Sequence, residues 1–132
     1  MNKIFIVDDD DSILTLYTQF LEFKGFDVIG YAKNGIEAIV KYLEFKNKPD
    51  LIIMDYHMPI KNGIAATKEI LKIDGNVKIF IVSGDSTIKK EALAAGAIDF
   101  KKKPFQLQEL YSSILTLICN NTEITRSKIH IC

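Results

Sequence analysis

The segment Leu51-Ile52-Ile53-Met54 is apolar at every position, odd and even alike, and runs straight into Asp55. Successive strand residues point to opposite faces, so a strand apolar on both parities has to be covered on both. A sheet with helices on either side meets that demand. Lys3–Val7 and Val77–Val82 have the same short apolar character, and Phe26–Ala32 and Ala97–Lys101 read as two further strands. Between these runs the apolar spacing becomes helical. Ile13, Leu16, Tyr17, Phe20 and Leu21 share one face and stop at Gly25. Asn34 with Glu37 three residues on predicts a capped start, with Ile36, Ile39, Val40 and Leu43 on one face and Pro49 closing the region. Asn62–Gly63 opens a helix carrying Ile64, Ile70, Leu71 and Ile73. A shorter helix over 86–95 stops at Gly96, and Leu107, Leu110, Tyr111, Ile114, Leu115 and Ile118 give the cleanest amphipathic pattern.

Five strands alternating with five helices predict an α/β fold: a doubly wound, five-stranded parallel sheet with helices on both faces. The expected strand order is 2-1-3-4-5, which puts the carboxyl ends of the first and third strands at the switch point where such sheets bind ligands. A chain of 132 residues suits one domain. We place it over residues 1–120, with 121–132 as a tail or truncated linker.

Charge narrows the functional classes. Lys plus Arg equals Asp plus Glu at 17 each, so nothing marks a nucleic-acid binder. Met1–Val7 lacks the pattern of a signal peptide, and no apolar run nears the roughly 20 residues of a membrane span. Cys119 and Cys132 form no disulfide framework and no metal motif. Cys119 is expected as a buried apolar filler. A reduced, cytoplasmic setting is the simple expectation.

The polar residues at the strand ends carry the chemistry. The first strand ends in Asp8-Asp9-Asp10-Asp11, the third in Asp55, the fourth in Ser83-Gly84, and the fifth runs into Lys103-Pro104. Carboxylates gathered on one rim repel one another, and at least one pKa should rise. A hard divalent cation relieves that repulsion, and Mg²⁺ takes one or two carboxylates while sharing phosphate oxygens. Phosphoryl transfer asks mainly for positioning and charge neutralisation, which Mg²⁺, Lys103 and the Ser83 hydroxyl would supply, with Asp55 as nucleophile. Blander roles compete. An Asp run after a strand also caps a helix, and Asp10 or Asp11 is expected to do so. Lys101-Lys102-Lys103 could be a solvated stretch, and Pro104 is what singles out Lys103.

Val7-Asp8-Asp9, Met54-Asp55 with Met58-Pro59 and Gly63, Ser83-Gly84, and Phe100 ahead of Lys103-Pro104-Phe105 together resemble the receiver domain of two-component response regulators, of the single-domain, chemotaxis-regulator type. The resemblance covers roughly residues 2–119 and implies a flavodoxin-like fold. It implies that Asp55 is the phosphoacceptor and that Asp9 ligates Mg²⁺ directly, with Asp8 often acting through water. The His57 backbone carbonyl becomes a further ligand, and Mn²⁺ a substitute ion. Lys103, Ser83 and Gly84 are implied at the phosphoryl group, with a cis Lys103–Pro104 bond. Ser83 and Phe100 become the switch pair, and the face of the fourth helix, fifth strand and fifth helix the partner surface. Implied partners are a histidine kinase or histidine phosphotransfer protein and a target protein or output domain. No nucleic acid or membrane is implied, and a phosphorylation-dependent dimer stays open.

Ser83 stands where Thr is more frequent, and Phe100 where many members have Tyr. Without a phenolic hydroxyl, inward rotation of Phe100 gains only packing. His57 and Asp85 lie two residues past Asp55 and Ser83, where the resemblance places tuning of the phosphoryl lifetime. Rival readings are a Mg²⁺-dependent phosphohydrolase of the haloacid dehalogenase type, with Asp8 as nucleophile and Asp10 as general acid, and an interaction module that works without phosphate. The first leaves Asp55 and Lys103-Pro104 unexplained. Flavin binding is disfavoured, because an acidic loop repels phosphate.

Overall fold

The computed structural model describes residues 2–119, the side chain of Cys119 aside. Strands β1 (Lys3–Val7), β2 (Asp27–Ala32), β3 (Leu51–Asp55), β4 (Lys78–Ser83) and β5 (Asp99–Lys102) alternate with helices α1 (Asp11–Phe23), α2 (Gly35–Glu44), α3 (Gly63–Ile73), α4 (Lys89–Ala94) and α5 (Leu107–Cys119). All four strand pairings are parallel and the order is β2-β1-β3-β4-β5, as expected. Every residue of β3 is buried, which is what a central strand apolar on both parities requires.

The alternation within the strands sorts the core into two layers. Phe5, Val7, Ile52, Met54, Ile79 and Ile81 pack beneath α2, α3 and α4. Ile4, Ile6, Leu51, Ile53, Phe80 and Val82 meet α1 and α5 through Leu14, Tyr17, Leu21, Leu110 and Ile114. The helix ends follow local chemistry. Asp10 caps α1, its carboxylate accepting from the Ser12 and Ile13 amides at 2.8 and 3.4 Å. Gly25, at φ 96°, takes the left-handed turn after that helix.

Four details differ from the sequence expectation. The α2 face is rotated: Ala38 and Tyr42 are buried, Ile39 is partly so, and Ile36, Val40 and Leu43 are exposed. Tyr42 wins the core because its ring fills the layer while its hydroxyl reaches Asp74 on the far side, donating at 2.7 Å. At the same helix Asn34 accepts from the Glu37 amide as predicted, but Glu37 takes the Lys33 amide rather than that of Asn34. The fifth strand starts two residues later than read, at Asp99. The Ala97 amide still serves the end of α4 through the Ala92 carbonyl. The segment 86–95 divides into a 3-10 turn at Ser86–Ile88 and the six-residue α4. The tail expected over 121–132 and the burial expected for Cys119 lie outside the described residues.

Candidate functional site

Four of the predicted residues meet at the carboxyl ends of β1, β3 and β5. Asp55 closes β3, and Asp8 follows β1 directly, its amide bonded to the Ala32 carbonyl at 3.0 Å so that the chain stays on the sheet one residue past the strand. Both carboxylates are buried, at 6 % and 2 % exposure. Strand alternation turns Asp55 away from Met54 and toward the layer of α1 and α5. Lys103 enters from the loop after β5, anchored by its amide on the Ser83 carbonyl at 2.8 Å and followed by a cis bond to Pro104. Its ammonium donates to Asp55 Oδ1 at 3.1 Å and to Asp8 Oδ2 at 3.2 Å. Asp9 is exposed at the rim, and Asp8, Asp9 and Asp55 each offer an oxygen within 4.8 Å of the others.

The electrostatics follow from crowding. Burial pushes the Asp55 carboxyl up to about 6, with Asp8 and then Asp9 adding to the rise against the opposing pull of Lys103. Burial works against the charge on Lys103, but Asp55 and Asp8 outweigh it and hold its pKa above the ordinary lysine value. Three carboxylates share the rim with a single ammonium, which bonds only Asp8 and Asp55, so with all three ionised two negative charges are left uncompensated (three minus one). An all-oxygen donor set with excess negative charge fits Mg²⁺, a hard cation that needs only one or two protein carboxylates.

Gly63 explains how Asp55 is approached so closely from behind. A Cβ at Gly63 would collide with the Asp55 carbonyl oxygen and press Met54 Cγ at 3.0 Å. Nothing in the spacing alone tells a glycine needed for this contact from one that merely starts a helix. The loop between them, residues 56–62, is held by the Tyr56 amide on Val82 and by the Gly63 amide on Tyr56. It makes a tight turn in which the Lys61 amide bonds to the Pro59 carbonyl around Ile60, whose φ is 71°.

The remaining predicted residues surround this centre without joining its hydrogen bonds. The His57 ring is exposed and edge-on to Tyr56 at 4.7 Å, and its carbonyl receives no hydrogen bond among the described residues. Ser83 is buried, its hydroxyl accepting from the Asp85 amide at 3.0 Å and making no hydrogen bond to the side chain of Lys103 or Asp55. The Gly84 amide donates to no protein acceptor among the described residues, and no heavy atom stands within 4 Å of where its Cβ would be. Asp85 accepts from the Thr87 hydroxyl and amide at 2.5 and 2.9 Å, which holds its carboxyl below the ordinary range, with His57 acting in the same sense. Phe100, in register with Ile81, is already partly buried against the α2–α4 layer. Asp10 is committed to capping α1, so it is not placed as a general acid.

The sequence model of the response regulator receiver domain matches residues 4–115. The chain belongs to that receiver family. The chemotaxis protein CheY of Thermotoga maritima is 45 % identical over 106 residues, covering 79 % of this chain and 87 % of that protein. The CheY of Bacillus subtilis is 39 % identical over 115 residues, covering 86 % and 94 %. A solved CheX–CheY–BeF₃–Mg²⁺ complex from Borrelia burgdorferi contains a chain that superposes with a TM-score of 0.83 at 28 % identity, covering 88 % of each. Accepting a phosphoryl group in two-component signalling is the function of this receiver family, and receiver domains bind Mg²⁺. No helix among the described residues is long and apolar enough to cross a membrane.

Proposed function

We propose that Asp55 is the phosphoacceptor of this receiver domain, and that Asp8, Asp9, Asp55 and the His57 carbonyl hold the Mg²⁺ ion. The observation that carries this reading is the meeting of Asp55 with Asp8, Asp9 and Lys103 on one rim, from segments up to 95 residues apart in sequence. An Asp55 oxygen attacks the donor phosphorus, the bond from phosphorus to the donor nitrogen or oxygen breaks, and the leaving group takes up a proton. When bound, Mg²⁺ supplies positive charge to the phosphoryl oxygens and offsets the repulsion among the carboxylates. Lys103 keeps its place and exchanges a carboxylate partner for the phosphoryl oxygens. The chain thereby promotes its own phosphorylation and dephosphorylation.

The output follows from the loop after β4. A phosphoryl group adds strong acceptor oxygens at the rim, so the Ser83 hydroxyl, which now accepts from the Asp85 amide, turns to donate to them, and the Gly84 amide joins. Phe100 deepens its packing as that loop moves, and the face of α4, β5 and α5 changes for a partner. The donor is a histidine kinase or histidine phosphotransfer protein, in a cytoplasmic setting. His57 and Asp85 flank the entry for water. His57→Ala should change the rate at which label is lost, and an unchanged rate would remove the His57 side chain from the mechanism.

Intact mass after incubation with acetyl phosphate and Mg²⁺ tests the assignment. Wild type should gain one phosphoryl mass and Asp55→Ala none. Label that survived Asp55→Ala and vanished in Asp8→Ala would instead support a phosphohydrolase nucleophile.

A further inference from the structure

Tyr17 lies on α1 with 4 % of its surface exposed, its ring 6.2 Å from that of Phe105 at an interplanar angle of 31°. It lines a cavity of 220 Å³ between α1 and the loop that carries Lys103. Ile13, Leu16, Pro104, Phe105 and Leu107 complete the wall, so Tyr17 and Lys103 are its only lining residues with a polar side-chain group.

Each of these groups has hydrogen-bonding capacity unused. An ammonium has three N–H donors, and Lys103 directs two of them at Asp8 and Asp55, with no third protein acceptor among the described residues. The Tyr17 hydroxyl has no hydrogen-bond partner among the described residues either. The other buried tyrosine, Tyr42, does pair, with Asp74. The Tyr17 oxygen is not among the buried polar atoms that lack a partner, so it is open to water, and the cavity is roomy enough for a water that bridges to Lys103. The two groups also sense each other's charge. Burial pushes the Tyr17 phenol up to about 12 while Lys103 pulls it back, and Tyr17 in turn helps to keep Lys103 charged.

We propose that Tyr17 is a positioning residue for phosphoryl transfer: its hydroxyl, through one water in the shared cavity, takes the third N–H of Lys103. The inference rests on the Asp55–Lys103 reading above. Its physical use is that Asp55 changes character on phosphorylation, whereas Tyr17 does not. A tether independent of the acceptor keeps the ammonium aimed at the same point before and after transfer.

Tyr17→Phe keeps the ring against Phe105 and deletes only the hydroxyl. With acetyl phosphate and saturating Mg²⁺, it should slow labelling of Asp55 by about three- to tenfold, the scale of one hydrogen bond. In a Lys103→Ala background the same change should leave the residual rate unaltered. Equal slowing in both backgrounds, or none in either, would overturn the proposal. A second measurement needs no phosphodonor: exchange of the Lys103 ammonium protons with solvent, followed by NMR, should be at least about threefold faster in Tyr17→Phe. An unchanged exchange rate would overturn the contact itself. Absence of label from wild type would sink the phosphoacceptor reading, while the exchange rates would still decide whether Tyr17 holds Lys103.

Discussion

Lys103 Nζ lies 3.1 Å from Asp55 Oδ1, a contact between residues 48 apart in the chain. That single ammonium also serves Asp8, so Asp55 is only partly compensated, and its carboxyl is held at about 6 by burial and by Asp8. The native state therefore keeps a proton on Asp55 that the unfolded chain releases near its ordinary value of 3.8. As pH rises from about 4 to about 6, the folded state binds more protons than the unfolded one, so stability falls and then levels off. In metal-free protein, Asp55→Asn should be neutral near pH 4 and stabilising by about 1–3 kcal/mol at pH 7. Chemical denaturation at the two pH values measures the difference. A constant difference would show that the site is not electrostatically strained, and added Mg²⁺ should shrink the gain at pH 7.

Gly63 is required by the backbone of Asp55 rather than by its own torsion. Gly63→Ala forces the start of α3 away from the Asp55 carbonyl. Overpacking of this kind costs about 1–3 kcal/mol, and because it moves the acceptor it should also slow acetyl phosphate labelling. A urea titration alongside intact mass separates the effects. Full stability and full labelling in the variant would show that the contact gives way freely.

Ile60 is 80 % exposed and adopts φ 71°, a region that β-branched residues avoid. Its side chain has little packing to lose. Ile60→Gly should raise the melting temperature, with a net gain of about 0.5–1 kcal/mol after allowing for the freer unfolded chain. A lower melting temperature would mean that the isoleucine makes a contact worth more than the backbone strain.

Thr67 is fully buried on α3, and its hydroxyl has no hydrogen-bond partner among the described residues. Burying an unsatisfied hydroxyl costs about 1–3 kcal/mol, so isosteric Thr67→Val should be neutral or stabilising by up to about 1 kcal/mol. Thermal melts suffice as the test. A loss of more than about 1 kcal/mol would identify a bond that the hydroxyl makes with an ordered water.

Much of this protein was legible in its sequence because the relevant physics is local or periodic. The both-parity run at Leu51–Met54 demanded a covered central strand, and alternation with helical spacing then demanded parallel crossovers. Asp8, Asp9, Asp55 and Lys103 could be nominated because they stand at the carboxyl ends of strands, where such a sheet gathers its loops. Asp10 and Asn34 could be read as caps from their place before an apolar run.

Tertiary packing decided the rest. Ile36, Val40 and Leu43 follow helical spacing as well as Ala38 and Tyr42 do, and only the packing of Tyr42 against the sheet, with its hydroxyl on Asp74, chose the buried face. Tyr17 read as one apolar position in α1 until Lys103 and Phe105 were folded against it from the other end of the chain. Spacing shows which residues share a face, but burial, a raised carboxyl pKa and the partner of an ammonium depend on what distant segments bring to that face. At Asp55 the sequence supplied the residue and its place on the strand, and the fold supplied the burial and the two neighbours, Asp8 and Lys103, that set its pKa.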